Sequence, residues 1–424
     1  MTVHEDMKRN LLEQIATQYL ESSDFNGVAA APLMDVAGEF SVDPDVVLGE
    51  LVAEGAIYAN FGHEMVNPHI IGFPHQSATD NIAEVRRRGG VRSALLYPTR
   101  DTLAAMSAGD RYPNAPYSAA LALGRAQLES VFFRADVLGR YRDDPRYDYT
   151  LDIGGEIRAR EGTPLDTYLT TFSIGFDRDP DSDEIVVGVP LRYLHDLSTT
   201  QQAYWRSFEH ERQDWVLHPD WIRPHLMGEF PERISPYTAI LMEMSLVNEI
   251  CGVIGYPPLF RNLYEGAGRP TDYGYLIRPT KRELSNFIEQ LNKLLIDNLD
   301  QGFFRRAGIP LTEERQDATG NSYQAQRGTM NMLMEWMERT VSHDPEGMVP
   351  SAATNLKEIR RARSNSAHTL RENEYDPAVW TNQRRLVVQA YLTVRTVRQL
   401  LLSHPRASAV EVPEELDDPK VWPF

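Results

Sequence analysis

Residues 280–299 read Thr-Lys-Arg-Glu-Leu-Ser-Asn-Phe-Ile-Glu-Gln-Leu-Asn-Lys-Leu-Leu-Ile-Asp-Asn-Leu. Thr280 and Glu283 have the offset of a capping box, in which a hydroxyl and a carboxylate satisfy backbone donors that a new helix leaves open. Leu284, Phe287, Ile288, Leu291, Leu294, Leu295 and Leu299 then recur every three or four positions, so they share one helix face. A break around Gly308 to Gly320 precedes a second helical pattern at about 322–341, with Met330, Leu333, Met334 and Met337 on its buried side. Asp344 to Pro350 turns the chain, a third helix covers about 352–367, and Asp376-Pro377 opens a fourth that runs to about 403. Short connections between such helices predict an antiparallel four-helix bundle over 280–403, followed by a tail at 404–424.

The third helix ends in Leu356-Lys-Glu-Ile-Arg-Arg-Ala-Arg-Ser-Asn-Ser-Ala-His368. From 356 to 403 there are nine basic residues (Lys357, Arg360, Arg361, Arg363, Arg371, Arg384, Arg385, Arg395, Arg398) against four acidic ones, inside a chain of net charge −18. With 38 arginines and 11 histidines in the chain, an Arg-x4-His spacing is commonplace by itself. Its place at a helix end, in a bundle with a local cationic surplus, gives it meaning. This segment resembles the HEPN superfamily, helical-bundle domains whose active members carry Arg-x4-6-His between the third and fourth helices. The resemblance covers about residues 280–403. It implies a metal-independent ribonuclease of a toxin or antiphage-defence type, acting as a homodimer through the bundle and needing no cofactor. His368 would be the general acid or base, Arg363 would hold the scissile phosphate and Asn365 would orient one of them. Lys357, Arg360, Arg361 and Arg371 would bind the RNA. The family's polar residue directly follows the arginine; here that slot is Ser364.

The chemistry is coherent. A histidine titrating near neutrality can move the 2′-hydroxyl proton, and a permanently charged guanidinium can meet the charge of a pentacoordinate phosphate. The bland reading of Arg363 and His368 is two cations stabilised by a helix C-terminus.

Upstream, residues 7–72 read as three helices and a hairpin. Leu11, Leu12, Ile15, Tyr19 and Leu20 mark the first helix, Pro32 to Phe40 the second, and Asp43 to Glu54 the third, with Gly55 as its cap. Residues 56–61, a turn at Gly62, and Glu64-Met65-Val66 read as the hairpin. This order, over residues 1–75, resembles a winged-helix domain. A DNA-reading winged helix sets its third helix in the major groove. Here that helix offers Asp43, Asp45, Glu50 and Glu54 and no cation, and residues 1–60 hold 2 basic and 11 acidic side chains. Electrostatics therefore favours a protein partner or a structural role over DNA.

Arg86-Arg87-Arg88-Gly89-Gly90 reads as a linker. The middle region, 91–275, is mixed α+β of unassigned role. It has a helical pattern over Leu121–Tyr141 and strand-like runs at Asp148–Ile157, Leu169–Phe176 and Ile185–Leu191. The acidic stretch Asp177 to Glu184 reads as a charged hairpin tip, with calcium as the sharper alternative. His210, His218 and His225 lie among carboxylates but without the i, i+4 spacing of a helical metal pair, so no metal is assigned. Ser235 to Gly255 is an apolar core helix, and the Gly-, Pro- and Tyr-rich stretch 255–279 a hinge. No run of about 18 apolar residues spans a membrane and no secretory signal is visible. A lone Cys251 excludes an internal disulfide. The expectation is a cytoplasmic, multi-domain, mainly α protein: a ribonuclease effector, or else a non-catalytic scaffold that dimerises through the bundle and binds a protein through its acidic winged helix.

Overall fold

The structure, a computed structural model, describes residues 2–22, 25–37, 42–61, 77–163, 168–179, 182, 184–230, 233–264, 268–317, 319–367, 373–416 and 420–421. Helix outweighs strand by 53% to 16%, so the chain is mixed and mainly helical. It divides into two compact units, Met1–Val137 with Ile157–Phe172 and Val187–Gln213, and Leu138–Glu156 with Ser173–Val186 and Asp214–Phe424.

The first unit opens with α1 (Val3–Glu21), whose N-cap Thr2 accepts from the Glu5 amide and whose buried face is Met7, Leu11, Ile15, Tyr19 and Leu20. β1 (Val28–Ala29), α2 (Ala30–Ala37) and α3 (Pro44–Ala53) follow. Asp43 caps α3 at 3.0 Å to the Asp45 amide, and Pro44 supplies a preset φ where no N–H is needed. β2 (Ile57–Asn60) is the first half of the expected hairpin; Gly62 and Glu64 to Val66 lie outside the described residues. Its partner among the described residues is β3 (Leu95–Pro98), reached through α4 (Ala78–Arg88). The three strands form an antiparallel sheet in the order β1-β3-β2, with Val28 opposite Leu96 and Ala59 opposite Leu96 on the other side. Sequence reading missed β3 because four residues ending in proline give no periodicity.

Asn81 of α4 pairs with β2 on the edge away from β3. Its amide accepts from the Ala59 N–H at 3.0 Å and donates to the Ala59 carbonyl at 2.8 Å, as a neighbouring strand would. The Arg86–Arg88 triplet is not a linker. It is the last turn of α4, closed by Gly89 at φ 79°, with Arg87 and Arg88 both held by Glu84. Cations there complement the helix dipole.

After α5 (Arg100–Ala105) and α6 (Pro116–Ala122) the expected helix over Leu121–Tyr141 is overturned. Gly124, at φ 81°, ends α6, and β4 (Ser130–Arg134) buries Val131, Phe132 and Phe133 on both its faces. A short apolar run buried on both sides has no period that separates strand from helix. The chain continues through α7 (Gly139–Arg142), β5 (Tyr147–Leu151), β6 (Gly154–Ala159), β7 (Tyr168–Phe176) and β8 (Ile185–Pro190), all three strand-like runs being strands. Then come α8 (Leu191–His195), α9 (Thr199–Arg206), β9 (Val216–Leu217) and α10 (Pro219–Leu226). The sheet order is β4-β8-β7-β6-β5, with β9 paired to β7, and every residue of β8 is buried.

In the second unit α11 (Pro236–Ile254) is capped by Ser235 and closed by Gly255 at φ 83°. Among the described residues it is the one helix long and apolar enough to cross a membrane, and 61% of that apolar window is buried. α12 (Lys281–Asn292) starts at the predicted cap, Thr280 accepting from Glu283 N at 3.3 Å, and continues as one π-helical turn to Asp297. α13 (Gln301–Arg306) is followed by a hairpin of β10 (Thr312–Gln316) and β11 (Ser322–Gln326), where a helix had been expected from residue 322. Asp317 makes the turn by accepting from the Thr319 and Asn321 amides. α14 (Thr329–Thr340), α15 (Met348–Ala367) and α16 (Ala378–Leu402) complete the unit.

The principal packing partner of α16 is α11, which the sequence had placed in the middle region; α15 and α12 pack beside it. Between α11 and α16, Arg398 forks onto Glu243 at 2.6 and 3.1 Å, with side chains 7% and 0% exposed. Burial pushes the Glu243 carboxyl up from its ordinary range while Arg398 opposes that shift. The tail is packed too: Ala407, Leu416 and Val421 are buried, and Val421 bridges Ile234.

Candidate functional site

α15 carries the residues singled out by sequence. Lys357, Arg360 and Arg361 are exposed, and among the described residues none has a carboxylate at ion-pair distance. At positions 357, 360, 361 and 364 the helix presents one stripe about 10 Å long, from 1.5 Å of rise per residue. The nearby Glu358 does not cancel it, because Arg385 (2.8 Å) and Gln389 (2.7 Å) already occupy that carboxylate. Ser364 donates back to the Arg360 carbonyl at 3.1 Å, leaving its hydroxyl a local helix bond.

Arg363 points elsewhere. Its Nη2 stands 4.0 Å from Asp297 Oδ2, at the limit of an ion pair, with the arginine side chain 34% exposed. Asp297 also accepts from Asn292 Nδ2 at 2.9 Å. On the same face of α12, Lys293 and then Arg363 hold the Glu289 carboxyl below its usual range. Arg363 therefore sits among carboxylates in its own unit, and an incoming phosphate would have to compete with Asp297. Asn365 lies in the last turn of α15, with only its backbone described; His368 and Arg371 lie outside the described residues. The local surplus of cations is thus divided: Arg398 is spent on Glu243, Arg385 on Glu358, and the exposed stripe is Lys357, Arg360 and Arg361.

The histidines of the middle region do not converge, and no group of three or more metal-binding side chains exists among the described residues. His210 accepts from the Arg212 amide, His218 caps α10 through the Asp220 amide at 3.2 Å, and His225 stacks on Trp221. Burial lowers the His218 pKa despite Asp220 beside it. In the acidic stretch, Asp177 accepts from the Asp179 amide and Ser182 from that of Glu184, as expected of a self-capped tip.

Two polar clusters had no sequence signal, because their members are far apart in the chain. In the first unit Ser118 Oγ lies 2.8 Å from His195 Nδ1 and accepts from Gln202 Nε2 at 2.9 Å. The pair has the look of a nucleophile and base, but Ser118 is 3% exposed and Gln202 Oε1 accepts from the Tyr117 and Ser118 amides. Those are open donors at the start of α6, whose own N-cap Ala115 has no side chain to offer. The network caps a helix. In the second unit Asp152 accepts from Ser235 (2.5 Å), Thr238 (2.8 Å) and Arg269 (3.2 Å) at the start of α11. Nearby, a cavity of about 100 Å³ is lined by Arg142, Tyr149, Asp272, Glu283 and Asn286. Arg142 there is committed to Glu283 at 3.0 Å and Asp143 at 2.9 Å.

No protein-family model, no curated protein and no solved structure matches this chain.

Proposed function

We propose that the chain is an RNA-binding effector of the HEPN-like, metal-independent ribonuclease type, of toxin or antiphage-defence character. RNA lies along α15 and the Arg363/His368 pair performs cleavage in a homodimer. The observation that carries this reading is the exposed stripe of Lys357, Arg360 and Arg361, three cations without carboxylate partners among the described residues, on a chain of net charge −18. Three cations on one helix face, with no carboxylate partner among the described residues, offer a polyanion a short track. Charge reversal of all three is expected to abolish RNA binding at low salt. In the unaltered protein the plot of log K against log salt should have a slope of about −2, from three phosphate contacts to a single strand. RNA cleavage should fall about 10²- to 10⁴-fold in His368→Ala, the contribution of a positioned acid–base. Unchanged cleavage in that variant would end the nuclease reading.

The contact between Arg363 and Asp297 favours a second reading, a non-catalytic adaptor that dimerises through the bundle and binds a partner protein through its acidic N-terminal segment. The state of α3 fits an adaptor role for the N-terminal part: His4 and Lys8 engage Glu50, Lys8 also engages Glu54, and Asp45 accepts from the Val91 amide. With those carboxylates occupied, α3 exposes Val46, which suits a protein partner more than DNA. Asp297→Asn separates the two readings. It frees Arg363 and raises cleavage if Arg363 serves the phosphate, and leaves RNA turnover at zero in an adaptor.

A further inference from the structure

The hairpin of β10 and β11 pairs with no other strand among the described residues, and eight of its ten residues are exposed, with Glu313 and Ala325 intermediate. A two-stranded ribbon with neither face packed is marginal in water. Its two edges differ in chemistry. β10 reads Thr-Glu-Glu-Arg-Gln, and charge on an edge is the usual guard against pairing. β11 reads Ser-Tyr-Gln-Ala-Gln, with no charge and no proline, in a chain of net charge −18.

The hydrogen-bond register shows which backbone groups are open. Arg327 N donates to the Leu311 carbonyl at 2.9 Å and Asp317 N to that of Asn321 at 3.0 Å. Glu313 and Ala325, and Arg315 and Tyr323, therefore face one another across the ribbon, since bonded pairs alternate. Ser322, Gln324 and Gln326 turn their N–H and C=O groups outward, as do Thr312, Glu314 and Gln316 on the other edge.

We infer that β11 is a self-association edge: two copies of the chain join antiparallel through Ser322–Gln326, with the two-fold axis at Gln324. In that register Ser322 meets Gln326 of the second copy and Gln324 meets Gln324. Three bonded pairs give about six backbone hydrogen bonds. Tyr323, 50% exposed, comes opposite Ala325 of the second copy, so a large ring is covered by a small neighbour. Self-pairing of β10 would set Glu314 against Glu314, a like-charge pair directly opposed. An isologous contact closes on itself and needs no other surface to be satisfied. The inference does not rest on the ribonuclease reading, and names an edge distinct from the bundle.

The test is sedimentation of the full chain over about 1 to 100 μM, a range that brackets a micromolar dissociation constant. At the upper end the unaltered chain is expected to reach at least twice the mass of a variant that lacks this edge. Gln324→Glu and Gln324→Lys, both at an exposed position, are each expected to lose that concentration-dependent step and to keep only the association the bundle itself gives, and an equimolar mixture of the two to recover it. That recovery also shows that both variants are folded. A parent chain whose mass does not rise with concentration, association of either single variant as strong as the parent's, or a mixture that stays at the mass of the variants overturns the inference.

Discussion

At the scale of single residues, the polar groups that matter most are those that replace a missing piece of backbone or a missing counter-charge. Asn81 stands in for a strand beside Ala59. Replacing it with leucine leaves a buried N–H and C=O unpaired, and urea unfolding should show a loss of about 1–3 kcal/mol. Glu243 and Arg398 are a buried pair whose separation is more costly: Glu243→Gln leaves a guanidinium without its countercharge and should cost about 3–5 kcal/mol in the same measurement. A paired Glu243→Leu, Arg398→Met replacement should recover most of it, because desolvation of both charges is then avoided. The sequence showed neither role. Arg398 read as one more cation of a basic segment, and its partner lies 155 positions away.

At the scale of elements, legibility follows the strength of the period. α11, α12 and α16 were readable because each keeps an apolar face over three turns or more, and the Thr280 cap was readable because its chemistry is local. Residues 130–134 were misread because strand and helix are not distinguished by a short run buried on all sides. The β10–β11 hairpin was invisible for the opposite reason: with neither face buried, no alternation is written into it. Its turn carries a testable signature. Hydrogen bonds from Thr319 and Asn321 hold the Asp317 carboxyl at about 2, against an ordinary 3.8. A depressed carboxyl stabilises the turn above its ordinary pKa and releases it as pH falls through the lowered one. The Thr319 and Asn321 amide shifts should therefore titrate near pH 2, and a midpoint near 4 would contradict the geometry. Of the candidate site, the sequence located α15 and its exposed cations, whereas the turn of Arg363 toward Asp297 depends on how α12 packs and could not be read.

At the scale of the molecule, the expected bundle is incomplete as drawn from sequence. The segment 280–403 lacks α11, against which the apolar face of α16 rests, and lacks Glu243, which neutralises Arg398. A fragment spanning 280–424 is expected to aggregate or to bind the dye ANS strongly, while the full chain does neither. The reason is exposed apolar surface with a stranded charge beside it. Periodicity shows that a helix has a buried face but not which helix covers it.

Three strands, β6, β7 and β8, each begin in one unit and finish in the other. Neither unit is therefore a continuous stretch of chain, and synthesis from the N-terminus cannot deliver them one after the other. The first unit has all its residues only once Gln213 has left the ribosome. By then Leu138–Glu156 has long since emerged and must wait, part of its apolar surface uncovered, for helices not yet translated.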